Sequence, residues 1–220
     1  MPSEDPAWTA LRRQAAACTR CPLYLGATQT VFGEGPVTAR LVLIGEQPGD
    51  QEDRQGRPFV GPAGRLLGQA LAEARIDRAD LYLTNVVKHF KWTEADSRRL
   101  HAKPTRREVG ACRLWLEAEL RLIAPAAVLA LGATAAQSLL GPSFRITRSR
   151  GAIMSTSWAP VFAATRHPSA ILRALSPDRE RFYRELVEDL RNIRARLPPE
   201  RVSSPAAAGG ARISTPENHE

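Results

Sequence analysis

Four short apolar runs punctuate the chain, each bounded by glycine, proline or charge. Ala39–Ile44 is stopped by Gly45, and Leu81–Val87 follows an acidic turn at 77–80. Ala126–Leu131 is introduced by Pro125 and stopped by Gly132, and Val161–Thr165 is stopped by Arg166-His167-Pro168. Runs of this length and punctuation predict buried strands. Between them the apolar positions recur at helical spacing. After Gly61-Pro62-Ala63-Gly64 they fall at Leu66, Leu67, Ala70, Leu71 and Ala74, and further helical patterns cover 7–17, 105–123, 133–140 and 177–196. Strands that alternate with helices imply a mainly parallel sheet covered on both faces. The expected fold is α/β: a three-layer αβα sandwich with a central, mainly parallel four-stranded sheet.

Two stretches stand outside this pattern. In Gly45–Gly64, Pro48 lacks the amide that a ladder or helix would use, so the segment reads as a loop. It carries Glu46, Asp50, Glu52 and Asp53 within eight residues, and then Phe59 alone between Pro58 and Val60. One reading is a solvated turn whose acids cap the next helix. The other is a ligand loop at the carboxyl end of a strand, where open α/β sheets hold their ligands. Glu46, Asn85 and His167 each fall at or just beyond the end of a predicted strand, which brings all three to one cleft.

The second stretch, Lys88–Arg107, reads as a long irregular loop with seven Lys or Arg, Phe90, Trp92 and two of the four histidines. Basic groups interleaved with aromatics suit a phosphate backbone with bases nearby. A solvated basic loop has the same composition.

With 220 residues and 43% hydrophobic content, the chain is sized for one domain, taken as 1–197. Residues 198–220 turn to Pro, Ser, Ala and Gly without apolar period and read as a disordered tail, in which His219 carries no inference. No apolar stretch approaches the eighteen residues of a membrane span, and the first residues lack a secretory layout. A soluble, intracellular protein is expected. Net charge is +8, with 31 Lys and Arg against 23 acids. That balance suits a polyanionic partner, although an arginine-rich composition also accompanies a GC-rich genome. Three cysteines exclude a fully paired disulfide scaffold. Cys18-Thr19-Arg20-Cys21 can chelate one metal or two corners of a cluster, a spacing shared by redox pairs and zinc knuckles.

The ordered series of motifs is more specific than any one of them: GEQPGDQED at 45–53, RPFVGPAGRLL at 57–67, LTNVVKHFK at 83–91, RRLH at 98–101, LGATAA at 131–136 and RHPSA at 166–170. In this series the chain resembles the uracil-DNA glycosylase superfamily, specifically its iron–sulfur branch with family 4, and most closely the UdgX group. The resemblance spans roughly Cys18 to Leu190. It implies a 4Fe-4S cluster held by Cys18, Cys21 and Cys112, with His89 as fourth ligand where family 4 places a cysteine.

It further implies that Phe59 stacks on a flipped uracil and that Asn85 reads its edge. His167 would stabilise charge on the departing base, and Glu46 would stabilise the sugar cation or take a proton. Gln47 and Asp50 would shape the pocket, Arg99 would brace the loop or a phosphate, and Asp53 would brace the loop. His101 would attack the anomeric carbon and leave a covalent protein–DNA adduct. The chain departs from the group's KRRIH loop at Ser97 and Leu100. The expected partner is uracil-containing DNA, single-stranded by preference, met by a monomer in the cytoplasm or nucleoid, with no membrane association. A hydrolytic family 4 enzyme that turns over, and a non-catalytic iron–sulfur DNA-binding module, are the alternatives.

Overall fold

The computed structural model describes residues 5–197. The predicted tail therefore lies outside the described residues. Four parallel strands, β1 (Leu41–Gly45), β2 (Leu81–Asn85), β5 (Ala127–Leu131) and β6 (Val161–Thr165), pair in the order β2-β1-β5-β6. All twenty strand positions are buried except Val161, as a doubly covered sheet requires.

Side chains alternate along a strand, so one set faces each layer. Val42, Ile44, Tyr82, Val128, Ala130 and Phe162 pack towards helices α1 (Pro6–Ala16), α4 (Arg106–Ile123) and α5 (Ala133–Leu140). Leu41, Leu43, Leu81, Leu83, Leu129 and Ala163 pack towards α3 (Pro62–Glu73), α7 (Pro168–Arg173) and α8 (Asp178–Ala195). The three-layer αβα architecture is as expected. Thr105 starts α4 with a capping box: its hydroxyl accepts from the Glu108 amide, and its own amide donates to the Glu108 carboxylate at 2.6 Å. A short helix α6 (Ile146–Ser149) fills the connection between α5 and β6.

Both anomalous stretches are more ordered than the sequence suggests. Within Gly45–Gly64 lies a helix, α2 (Asp50–Gln55), ended by Gly56 in the left-handed region at φ 69°. Lys88–Arg107, expected as an irregular loop, contains an antiparallel hairpin of β3 (Trp92–Ala95) and β4 (Arg98–His101). Its turn places Asp96 and Ser97 at φ 48° and 57°, the double left-handed geometry that matches the twist of a two-residue hairpin.

Candidate active site

The carboxyl end of the sheet is shaped by backbone close approach. A Cβ added to Gly45, the last residue of β1, would stand 2.3 Å from Asn85 Oδ1 and 2.8 Å from Phe59 Cζ. Glycine there lets the Asn85 amide and the Phe59 ring converge over the strand end. Phe59 holds a left-handed backbone at φ 55°, uncommon for a bulky side chain. Two neighbours fix it: Gly64, where a Cβ would meet the Phe59 carbonyl oxygen at 1.9 Å, and Arg78, whose guanidinium donates to the carbonyls of Pro58 and Phe59. Asn85 is 3% exposed, yet its side-chain amide has no hydrogen-bond partner among the described residues. Its amide faces the cleft with one donor group and one acceptor free for a ligand.

His167 closes the other side, its ring centroid 6.2 Å from that of Phe59. It caps α7: Nδ1 accepts from the Ser169 amide at 3.1 Å, so the ring proton sits on Nε2. Burial, then the His101 ring and Arg173, lower its pKa to about 4, which keeps the imidazole neutral with one N–H free to donate. Glu46 follows β1 directly. Its carboxylate oxygen lies 3.6 Å from His101 Nε2 and has no other side-chain partner among the described residues.

His101 ends β4, half exposed, with its ring 6.2 Å from Phe90. The hairpin that carries it is pinned at three places. Gln47 bridges its feet, donating to the carbonyls of Lys91 and Ala102 and accepting from the Lys91 amide, all at 3.0–3.1 Å. The Trp92 indole donates to the Gly26 carbonyl at 2.8 Å. Arg99 donates to Asp50 at 2.6 Å and to Asp53 at 2.7 Å while its guanidinium lies over Phe90 and Trp92. Burial works against the Asp50 charge, but hydrogen bonds from Arg54 and Arg99 outweigh it and hold that carboxyl below the usual range. Asp53, fully buried, also accepts from the Thr28 amide and hydroxyl.

The clustered acids therefore divide by role. Glu46 faces the cleft, whereas Asp50 and Asp53 hold the hairpin. Glu52 accepts from the amides of Gly49 and Gly61 and braces the loop. Phe59, Asn85, His167, Glu46 and His101 come together as expected. Arg99, expected to brace the loop or a phosphate, braces the hairpin that carries His101, and Gln47 and Asp50, expected to shape the pocket, also engage that hairpin.

A fully buried pair escaped the sequence reading. Lys88 Nζ donates to Glu119 at 2.6 Å, to Thr84 Oγ1 and to the Asn85 carbonyl at 2.8 Å, while Glu119 also accepts from Tyr82, Thr84 and the Gly33 amide. Burial and the adjoining Glu119 carboxylate push the Tyr82 hydroxyl far above its ordinary range, so it serves only as a donor. The available signal was an acid on the apolar stripe of α4, between Trp115, Leu116 and Leu120.

Cys18, Cys21 and Cys112 are free and buried on the α1–α4 side of the sheet. Burial pushes the Cys112 thiol up to about 11 and raises Cys21 as well. Sulfur acceptors are already supplied with donors: the Trp115 indole to Cys18 at 3.2 Å and the Lys88 amide to Cys112 at 3.3 Å. His89 is buried, its Nε2 2.9 Å from Thr30 Oγ1, and its Nδ1 has no partner. Among the described residues, no three His, Cys, Asp or Glu are set around a single ion. Three thiols, sulfur-directed N–H groups and an orphaned ring nitrogen suit a polynuclear iron–sulfur group, whose own frame holds its ligands apart.

Comparison with known proteins agrees with this architecture. A family model for the uracil DNA glycosylase superfamily matches residues 32–191. A type-4 uracil-DNA glycosylase of Thermotoga maritima is 40% identical over 177 residues, covering 80% of this chain and 88% of that protein. A type-4 uracil-DNA glycosylase of Sulfurisphaera tokodaii is 31% identical over 213 residues, covering 93% and 91%. A type-5 uracil-DNA glycosylase of Pyrobaculum aerophilum is 28% identical over 187 residues, covering 70% and 79%. With the sheet order, the strand-end cleft and these matches together, the chain belongs to the uracil-DNA glycosylase superfamily.

Proposed function

We propose that this protein excises uracil from DNA and then joins the resulting sugar to His101. The observation that carries the excision is the unpaired Asn85 amide beside the fixed Phe59 ring and the neutral His167 donor. A base can reach such a pocket only when flipped or single-stranded. Phe59 stacks on it, and Asn85 offers one donor and one acceptor to the pyrimidine edge. Cytosine places an amine where uracil has a carbonyl, and a mispaired buried amide costs about 1–3 kcal/mol.

When the C1′–N1 bond breaks, its electron pair goes to the uracil ring and positive charge spreads over the sugar. The His167 Nε2–H stabilises the developing charge on the uracil oxygen, as an oxyanion donor does. Glu46 faces the sugar cation. One nitrogen of His101 gives its lone pair to C1′, and the proton on the other nitrogen passes to Glu46 or to water. An imidazole is a better nucleophile than water, and the new C–N bond offers no easy second hydrolysis. The departed uracil anion takes its proton from solvent.

Cys18, Cys21, Cys112 and His89 would hold a 4Fe-4S cluster, the last through its unpaired Nδ1. When bound, the cluster would cross-link the end of α1, the segment after β2 and the start of α4. That segment leads into the His101 hairpin.

Incubation with a uracil-containing single strand should release uracil and give a protein–DNA species that survives heat and detergent. His101→Ser should lose the adduct and retain base release. The type-4 relatives favour a second reading, a hydrolase that turns over. It predicts many uracils released per protein and no stable adduct. Absence of any release would leave a DNA-binding module instead.

A further inference from the structure

A cavity of about 650 Å³ opens between α4 and α5, on the face of the sheet opposite Phe59. It adjoins the cleft at three points: Val86 follows Asn85, Lys103 stands two residues beyond His101, and Thr134 stands two residues beyond Gly132. A Cβ on Gly132 would lie 3.1 Å from that of His167, so only the strand ends separate cavity and site.

Val109 and Leu116 of α4 form apolar wall beside a polar face of the same helix. Arg106, Gly110, Arg113 and Glu117 recur at four, three and four residues, which is one helix face. A side chain at Gly110 would meet nothing within 4 Å, so the space is open rather than tightly packed. Four cations line the walls against one carboxylate. Glu117 is already taken by Arg113, at 2.7 Å. Lys103, Arg106 and Arg145 have no carboxylate within ion-pair distance among the described residues. Like charges gathered round one space repel unless an anion enters it.

The floor is aromatic. The Trp158 indole donates to the Leu139 carbonyl at 2.9 Å, which fixes its ring, and Arg113 lies 5.6 Å above it. Cations without a carboxylate partner, Lys103, Arg106 and Arg145, the last of which also donates to the Pro142 and Phe144 carbonyls, stand around a fixed aromatic and suit a nucleotide in both its parts, phosphate and base. The volume falls within the roughly 300–1,000 Å³ of ordinary ligand pockets.

We propose that this cavity binds the DNA strand that flanks the flipped nucleotide, with phosphates on Arg106, Lys103 and Arg145 and a base against Trp158. The proposal rests on the excision reading for its polarity, and its charge argument stands apart from the chemistry. The cavity lies to one side of the cleft, so only one flank of the strand enters it.

Two experiments on the full chain decide it. The first measures excision or adduct formation, below saturation, on a trinucleotide with central uracil and on strands lengthened by six nucleotides on the 5′ or the 3′ side alone. Wild type should gain about tenfold from one flank, and the Arg106→Gln/Arg145→Gln variant should match wild type on the trinucleotide while losing that gain. The second measures binding of a uracil-free single strand against salt. The double variant should lower the slope of log K against log salt by about 1.4, roughly 0.7 for each lost phosphate contact.

Equal gain from both flanks, or none, overturns the proposal, as does an unchanged salt slope. Binding of free deoxynucleoside monophosphate that the double variant abolishes, with strand binding intact, assigns the cavity to a small anion and overturns it too. If wild type excises nothing, the excision reading fails, and the salt slope still decides the cavity.

Discussion

Arg99 pins the hairpin that bears His101 to Asp50 and Asp53, and its removal gives a magnitude. Arg99→Met keeps the stem over Phe90 and Trp92 and deletes the charge. Asp53 is fully buried and retains only its Thr28 bonds, so it loses one charge-assisted hydrogen bond, about 1.5–3 kcal/mol. Asp50 is 38% exposed and keeps Arg54, so it adds at most about 1 kcal/mol. With Gln47 and Trp92 still engaged, the docked hairpin should weaken by roughly 2–3 kcal/mol, about 30- to 150-fold in its opening equilibrium. Amide exchange at residues 92–101 reads that opening directly. Adduct formation should fall by a similar factor, while uracil release changes less than fivefold. Asp53→Asn removes the charge from the other side of the same contact and should raise exchange in the same direction. Protection within threefold of wild type in both variants would refute the pinning argument, and parallel loss of release and adduct would refute the division of labour.

Three further outcomes follow from the packing. Gly45→Ala puts a methyl 2.3 Å from Asn85 Oδ1, so excision should drop at least a hundredfold while affinity for uracil-free DNA stays within threefold in a binding titration. Lys88→Met strands the Glu119 carboxylate in the core and should cost about 3–5 kcal/mol in urea unfolding; Lys88→Met/Glu119→Gln should regain part of that loss. His167 stays neutral to about pH 4, whereas its unfolded reference is 6.5, so the unfolded chain takes the proton first. Stability from this group is complete above the unfolded value and is lost as pH falls from there towards 4. Between pH 7 and 4.5 the stability difference between wild type and His167→Gln should narrow by roughly 2 kcal/mol, read from denaturant curves at both pH values.

The sheet and most helices were legible because burial writes itself into the apolar pattern. Val161–Thr165 matches its strand residue for residue, and the stripe of Leu67, Ala70 and Leu71 is the buried face of α3. Helix α2 was hidden because its buried members are Glu52 and Asp53, which are held by backbone amides and Arg99 rather than by apolar contact. The hairpin was hidden because its turn is Asp-Ser, without the glycine that usually marks such a reversal, and because its docking relies on Arg99 and Gln47. The same cause explains why the hairpin contacts of Gln47 and Asp50 were not legible: polar residues near a cleft look alike in sequence whether they meet a ligand or another loop. Asn85 and His167 were legible because strand ends converge in any parallel sheet.

The backbone twist at Phe59 has a consequence for heredity and for engineering. Gly64 and Arg78 exist, in part, to accommodate one aromatic at an awkward angle, so positions 59, 64 and 78 form a single unit of change. Bulk at 64 or a shorter chain at 78 would tilt the Phe59 ring without altering the ring itself. A change meant to act through the aromatic ring alone belongs at 59, with its two supports left intact.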